Sequence, residues 1–345
     1  MGDRLFKRNL KEVIERRNKL QSYSSVEKEI INQIRTETDK QNIDNISRTK
    51  AYLLYFDRNR EIPWAFLASM VSRNAGWNMT DLEGKWFPQI LNAYYRRCLF
   101  MSYERANWLI FNDAFPQLLL YEITKERGES LFHLSKAFAI STFIESEWEI
   151  FLSGEDQERL MISQIINEQH IIQKPVIEHP FYKKQVFTST IYKLQDWFHF
   201  SSVLFPVIKG ELYGFSVHDF RKVSKRIELG TKLAQLLFHP KYYPSFYQFA
   251  ITTEHTGSRL DYEQYVYPTK KRDTPFLRTT FPIIRHHIEN QKDWYPLSNV
   301  KRRWYNRSLN LNKENIEMTS WYEHKQKQLQ LGITLEHTFK QWQLH

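Results

Sequence analysis

The stretch Pro63-Trp64-Ala65-Phe66-Leu67-Ala68-Ser69-Met70-Val71-Ser72-Arg73-Asn74-Ala75-Gly76 decides the fold class. Proline stands at its start, where a missing N–H costs nothing, and glycine at its end, the usual asymmetry of a helix with a start and a stop. Between them Trp64, Ala65, Phe66, Leu67, Ala68, Met70, Val71 and Ala75 leave almost no polar face. A helix that is apolar all round has nothing to offer water and belongs inside a helical core.

Working outward, helical signals recur along the chain. Ser24 with Glu27 and Thr80 with Glu83 read as capping boxes, and Ser153 with Asp156 as a further capping pair. Apolar stripes at helical spacing predict two charged helices within 3–40, joined to the rest by a polar connector at 41–47. Further helices are expected from Pro88 through Leu99, over 103–127 with a break at Pro116, and over Leu134–Phe151 after a cap at Ser130. The same spacing predicts helices over Met161–Ile172, Phe181–Phe200, Ser216–Leu237, Phe281–Gln291 and Ile316–Trp342. Gly230 inside one of them costs roughly 1 kcal/mol against alanine, which implies close approach of a neighbouring helix. Pro206, Gly210 and Gly214 make 203–215 a loop or a short strand pair, and 256–280 reads as polar and irregular. The expected fold is mainly α, a single large irregular helical domain with at most a small β element near 203–215. Its expected parts are charged N-terminal helices over 1–42, a helical core over 43–300 and a basic C-terminal helical segment over 301–345.

The 345 residues are 41% hydrophobic and 26% charged, enough apolar material for a core and too much for a disordered chain. Ten Trp, 19 Tyr and 24 Phe make the chain 15% aromatic, which suits a core built from rings and, as the rival reading, stacking platforms for bases or sugars. One cysteine, Cys98, excludes an intrachain disulfide and fits a reducing compartment. It lies in the apolar run Cys98-Leu99-Phe100-Met101, so it reads as a buried hydrophobe. No apolar run reaches the length of a membrane span and no secretory leader opens the chain, so a cytoplasmic location is expected. The net charge is +10, and residues 269–345 hold fourteen Lys/Arg against seven Asp/Glu. Basic charge concentrated in this way favours anionic partners, nucleic acid or an acidic protein among them.

Two sets of residues are candidates for function. One is polar: Asn74 and Asn78 continue the apolar stripe of the central helix with Arg73 beside them, and Gln169 falls on the stripe of Ile162, Ile166 and Ile172, flanked by Glu168 and His170. To these the loop 254–263 adds His255, Arg259 and Asp261. Gathered in one pocket they supply the acid, base and guanidinium of an enzyme such as a hydrolase. The plainer reading is that each is a buried polar group tied off by hydrogen bonds. Asp196 and His199, one helical step apart, form a further pair that can touch. The other set is basic: Lys270, Lys271 and Arg272, then Lys301, Arg302 and Arg303 with Trp304 and Tyr305 beside them, a candidate polyanion surface. No zinc, nucleotide or nucleophile-elbow motif is present; His286-His287 lacks zinc-site spacing, and neither metal nor cofactor is expected.

The run Trp64 to Leu82 resembles a YppC-like family of uncharacterised proteins from Bacillus and relatives. So do Asn167-Glu168-Gln169 with Pro180-Phe181-Tyr182-Lys183, and Leu194-Gln195-Asp196-Trp197-Phe198-His199-Phe200. The resemblance implies a cytoplasmic protein of a Gram-positive bacterium and carries over no activity and no functional residue. The function expected from the residues alone is non-enzymatic binding of a polyanion or acidic partner through the basic C-terminal quarter, with the enzyme as the alternative.

Overall fold

A computed structural model describes residues 23–187, 202–216, 219–287, 293–297, 300–305 and 314–342. The pair Asp196 and His199 lies outside them, as do residues 1–22. The fold is mainly α with one small hairpin, as the apolar spacing predicts. None of the described helices is long and apolar enough to cross a membrane.

Helix α1 (Ser25–Gln41) starts at the expected capping box, in which Ser24 Oγ accepts from Glu27 N at 3.2 Å and Glu27 Oε2 accepts from Ser24 N at 2.7 Å. Asp44 caps α2 (Asn45–Arg58), so the connector is shorter than 41–47. Next comes α3 (Trp64–Asp81), buried along most of its length and packed closely on α2. It does not stop at Gly76. That glycine is interior to the helix, and its bare Cα admits two polar side chains: a Cβ there would lie 2.4 Å from Asn45 Oδ1 and 2.9 Å from the His255 ring. Thr80 therefore starts no helix. It sits within α3, and its hydroxyl donates to the Gly257 carbonyl at 2.6 Å.

A single turn over Phe87–Ile90 follows, Leu91 is extended, and Asn92 caps α4 (Ala93–Arg127). The long helix passes through buried Pro116 without ending there, and Gly128 closes it in the left-handed region at φ 71°. The helix expected over Leu134–Phe151 is split. A 3-10 turn, Phe132–Phe138, ends at Ala139 with φ 54°, and Ser141 then caps α5 (Thr142–Gly154). Asp156 itself caps α6 (Gln157–Ile171), whereas Ser153, its expected capping partner, lies inside α5 and donates its hydroxyl to the Ile150 carbonyl at 2.8 Å. A wide π-type turn at Gln173–Ile177 follows α6, and a second at Lys183–Phe187 stands near the start of the helix expected over Phe181–Phe200; the rest of that expected helix lies outside the described residues.

The hairpin pairs β1 (Ser202–Pro206) with β2 (Leu212–Ser216), antiparallel, with Leu204 opposite Gly214. Helix α7 (Val223–Leu237) begins later than Ser216, which belongs to β2. Its Gly230 meets α6 as expected, since a Cβ there would stand 2.7 Å from Ile165 Cγ2. Helices α8 (Tyr243–Thr252), α9 (Leu260–Val266) and α10 (Thr319–Trp342) follow, with short helical turns at Pro180–Tyr182 and Leu277–Thr280. The region 256–280 is thus more regular than expected, whereas 281–287 carries no helix.

Rings fill the interior. Phe56 stacks on Phe66 at 5.1 Å, and Trp148 is flanked by Phe132 at 5.0 Å and Tyr121 at 5.3 Å. Much of the aromatic content is therefore core, where each ring removes a large apolar area from water. Cys98 is buried, in keeping with its apolar neighbours.

Candidate functional site

The polar stripe of α3 meets the 253–263 segment, and most of its side chains find partners there. Arg73 is buried and donates to the carbonyls of Ala250 at 2.8 Å and Thr253 at 3.0 Å. Those carbonyls lie at the C-terminal end of α8, so Arg73 satisfies acceptors that α8 cannot satisfy itself. Burial away from any close carboxylate lowers its pKa to about 10. Asn74 turns the other way: its Nδ2 donates to Leu204 O at 2.8 Å and its Oδ1 accepts from Leu204 N at 2.8 Å, which fixes β1 against α3.

One turn further along α3, Arg259 reaches back from the loop. It ion-pairs with Asp81, donates to Asn78 Oδ1 at 3.0 Å and bonds the Tyr262 hydroxyl. Burial pushes Asp81 up to about 7 against the opposing pull of Arg259. The chain of contacts continues from Tyr262 to Tyr322 at 3.2 Å, from Tyr322 to Glu263 at 2.6 Å, and from Glu263 to Lys270 at 2.7 Å. Beside it Asp261 accepts from Trp77 Nε1 at 3.1 Å and from Thr256 N at 3.0 Å. His255 lies between Asp261, 3.4 Å from its Nδ1, and Asn45 Oδ1, 2.8 Å from its Nε2. Its pKa is lowered because burial penalises the imidazolium more than Asp261 favours it.

The structure thus brings Arg73, Asn78, His255, Arg259 and Asp261 into one buried neighbourhood around α3. It does not bring Glu168, Gln169 and His170 into that network. Gln169 is half-buried, and its Oε1 accepts from Arg226 Nε at 2.8 Å. His170 stacks on Trp294 at 4.0 Å, and its Nδ1 bonds Ile166 O at 2.8 Å. Burial of its carboxyl raises Glu168 to about 7. The cavity against Asp81, Arg259 and Glu263 measures only about 20 Å³, room for one water and no substrate. The polar cluster is a structural seam between α3 and the loop. Among the described residues no three His, Cys, Asp or Glu side chains converge as a metal site.

Immediately outside this seam lies an open concavity of about 690 Å³. Glu83, Gly84 and Lys85 form one wall and Lys270 to Pro275 the other, held together by Lys85 N donating to Asp273 O at 2.9 Å. Lys270 is engaged by Glu263 and Asp273, and Glu83 by Arg96. Lys85, Lys271 and Arg272 are exposed, and the first and last rest on the rings of Trp86 and Phe276. Trp86 Nε1 is a buried donor with no acceptor among the described residues. Lys85 was not legible as a site residue, because only folding sets it beside 270–272. The second basic cluster is anchored elsewhere. Lys301, Arg302 and Arg303 are exposed on a short 3-10 turn, but Trp304 is buried against His170 and Tyr305 bonds Ser163 at 2.9 Å. Neither ring is free to stack on a base.

Comparison with known proteins supplies a relative and a family, and both are silent about activity. No solved structure matches the chain. It is 46% identical over 314 residues to the uncharacterized protein YppC of Bacillus subtilis (strain 168), an alignment covering 91% of this chain and 97% of the relative. Residues 40–323 match the family described as protein of unknown function (DUF2515). With most of its length matched by that family and by a full-length relative at this identity, the chain belongs to the DUF2515 family of proteins of unknown function.

Proposed function

We propose that the chain is a binding protein that holds a phosphorylated or polyphosphate-like anion in the concavity beside Gly84. The carrying observation is the set of exposed cations Lys85, Lys271 and Arg272 around a space of about 690 Å³. Two features support it. The cations come from two chain segments fixed to each other by a backbone bond, so part of the cost of assembling them is met on folding. Arg272 presents a guanidinium suited to paired phosphate oxygens, and Lys85 and Lys271 add point charges. Lys270, already committed to two carboxylates, braces the wall. The enzyme reading has less support, because Arg73 is spent on backbone carbonyls, Glu168 and His170 stand outside the network, and the cavity against Asp81 and Arg259 is the size of a water molecule.

Isothermal titration with tripolyphosphate at several salt concentrations tests the proposal. Binding should weaken as salt rises, since the attraction is between exposed charges. The double variant Lys271→Ala, Arg272→Ala should bind at least about tenfold more weakly, the loss expected of one or two charge-assisted contacts. The variant Lys301→Ala, Arg302→Ala, Arg303→Ala should bind as the wild type does. No heat at low salt, or equal affinity in the first variant, excludes this site.

A further inference from the structure

We propose a second, separate ligand site, in a cavity of about 420 Å³ between the α1–α2 link, α4 and the 277–284 segment, fitted to a small neutral alcohol with an apolar body. It shares no lining residue with the basic concavity. Its walls are Phe100, Leu277, Phe281, Pro282 and Ile284, and its rim carries the exposed side chains of Ile43 and Ile283. The cavity is within the usual size range for small-molecule sites, which pair apolar walls with a few placed polar groups.

Its charged residues are almost wholly spoken for, which sets the chemistry of the occupant. Asp44 is held by Arg278 at 2.7 Å, and Glu104 Oε2 accepts from Arg48 Nη2 at 2.5 Å. The two ion pairs cancel, so no net charge invites an ion. One acceptor is left over. Glu104 Oε1 is buried and has no hydrogen-bond partner among the described residues. His286 Nε2, also buried and unbonded, stands 3.9 Å away, beyond direct hydrogen-bond reach. Leaving both groups unpaired is unfavourable, because each has given up water without gaining a partner.

One hydroxyl oxygen seated about 2.8 Å from each atom satisfies both, donating its single proton to Glu104 Oε1 and accepting from His286 Nε2–H. Burial and the neighbouring charges of Arg105, Arg48 and His287 depress His286 to about 4, so it faces that oxygen as a neutral ring at neutral pH. An ammonium group in the same position would meet Arg48 and Arg105 nearby, whereas a hydroxyl meets no such opposition. Reaching the buried Glu104 Oε1 requires the 281–287 segment, which carries no helix or strand, to give way locally while the apolar body fills the cavity. The competing occupant of the polar point is a single water molecule, with the cavity serving no ligand.

The test uses a matched pair of probes, 2-phenylethanol and propylbenzene, with ligand-observed NMR on the full chain. The alcohol should bind at least fivefold more tightly than the hydrocarbon. Ile283→Trp, a change at a rim residue that is 62% exposed and therefore tolerant, should abolish binding of both. Glu104→Gln keeps the shape and should erase the preference while leaving propylbenzene binding in place. Absence of binding at millimolar probe, or unaltered binding in Ile283→Trp, overturns the site. Equal affinity for the two probes in the wild type overturns the polar anchor and leaves the point to water. Tripolyphosphate should not compete with 2-phenylethanol, which separates failure here from failure of the anion site.

Discussion

At the scale of the residue, Gly76 shows how one position can be read correctly as special and wrongly as a stop. Glycine in a helix interior costs about 1 kcal/mol relative to alanine, so replacing an ordinary helical glycine stabilises. Here the added Cβ would collide with Asn45 Oδ1 and the His255 ring, which are hydrogen-bonded to each other. Overpacking of this kind costs about 1–3 kcal/mol, more than the propensity gain. Gly76→Ala should therefore lower the denaturant midpoint; a variant more stable than wild type would show that Asn45 and His255 give way freely. The contact itself was not legible, because His255 is 179 positions away along the chain and no periodicity links the two. The site residues divide along the same line. Asn74, Asn78 and Gln169 were visible as polar groups on apolar stripes, and all three are tied off by hydrogen bonds. Glu104 and Lys85 sit among ordinary charged residues in the sequence and acquire meaning only from what the fold places beside them.

At the scale of the element, legibility followed burial. Helix α3 announced itself because a run apolar on every side has one physical solution, and Trp64 and Leu67 are 1% and 3% exposed. Ser24, Asp156 and Gly128 marked real helix ends because each satisfies backbone groups locally, without help from the rest of the fold. The readings that failed are those that tertiary packing decides. Pro116 is accommodated in mid-helix, Ala139 breaks an apparent stripe, and 281–287 stays irregular while Phe281 stacks on Phe100 at 4.0 Å. Leu67→Ala should cost about 2–5 kcal/mol, the penalty for a cavity in a core that cannot collapse around it. Urea or guanidinium denaturation measures this directly. A loss below about 1 kcal/mol would mean that α3 packs loosely and is not the centre of the core.

At the scale of the whole molecule, net charge and buried charge act in different ways. The surplus of +10 was legible, and with it the leaning towards anions, but which cations stand free was not, because ion pairing depends on the fold. Buried carboxyls were invisible in the sequence, and they give global stability a pH dependence. Asp113 is the clearest. Its Oδ2 accepts from Asn167 at 2.6 Å and Gln117 at 2.7 Å, neither a cation, and burial pushes its pKa up to about 7. An unfolded aspartate releases its proton near 3.9. Below that value both states are protonated and the residue makes no difference with pH. Between it and about 7 the native state binds more protons than the unfolded one, so Asp113 makes stability fall as pH rises; above about 7 its contribution is flat. Asp113→Asn abolishes this titration at nearly constant volume. The stability of the variant relative to wild type should therefore improve between pH 5 and pH 8, by about 1–3 kcal/mol at the roughly 1.4 kcal/mol that each unit of pKa represents. Comparing the two proteins cancels the opposing carboxylates, such as Asp44, whose pKa is lowered on folding by its bonds to Arg278 and Ser47. Denaturant unfolding of both at several pH values decides it, and a stability difference that does not change with pH would mean that Asp113 is ionised in the folded protein throughout that range.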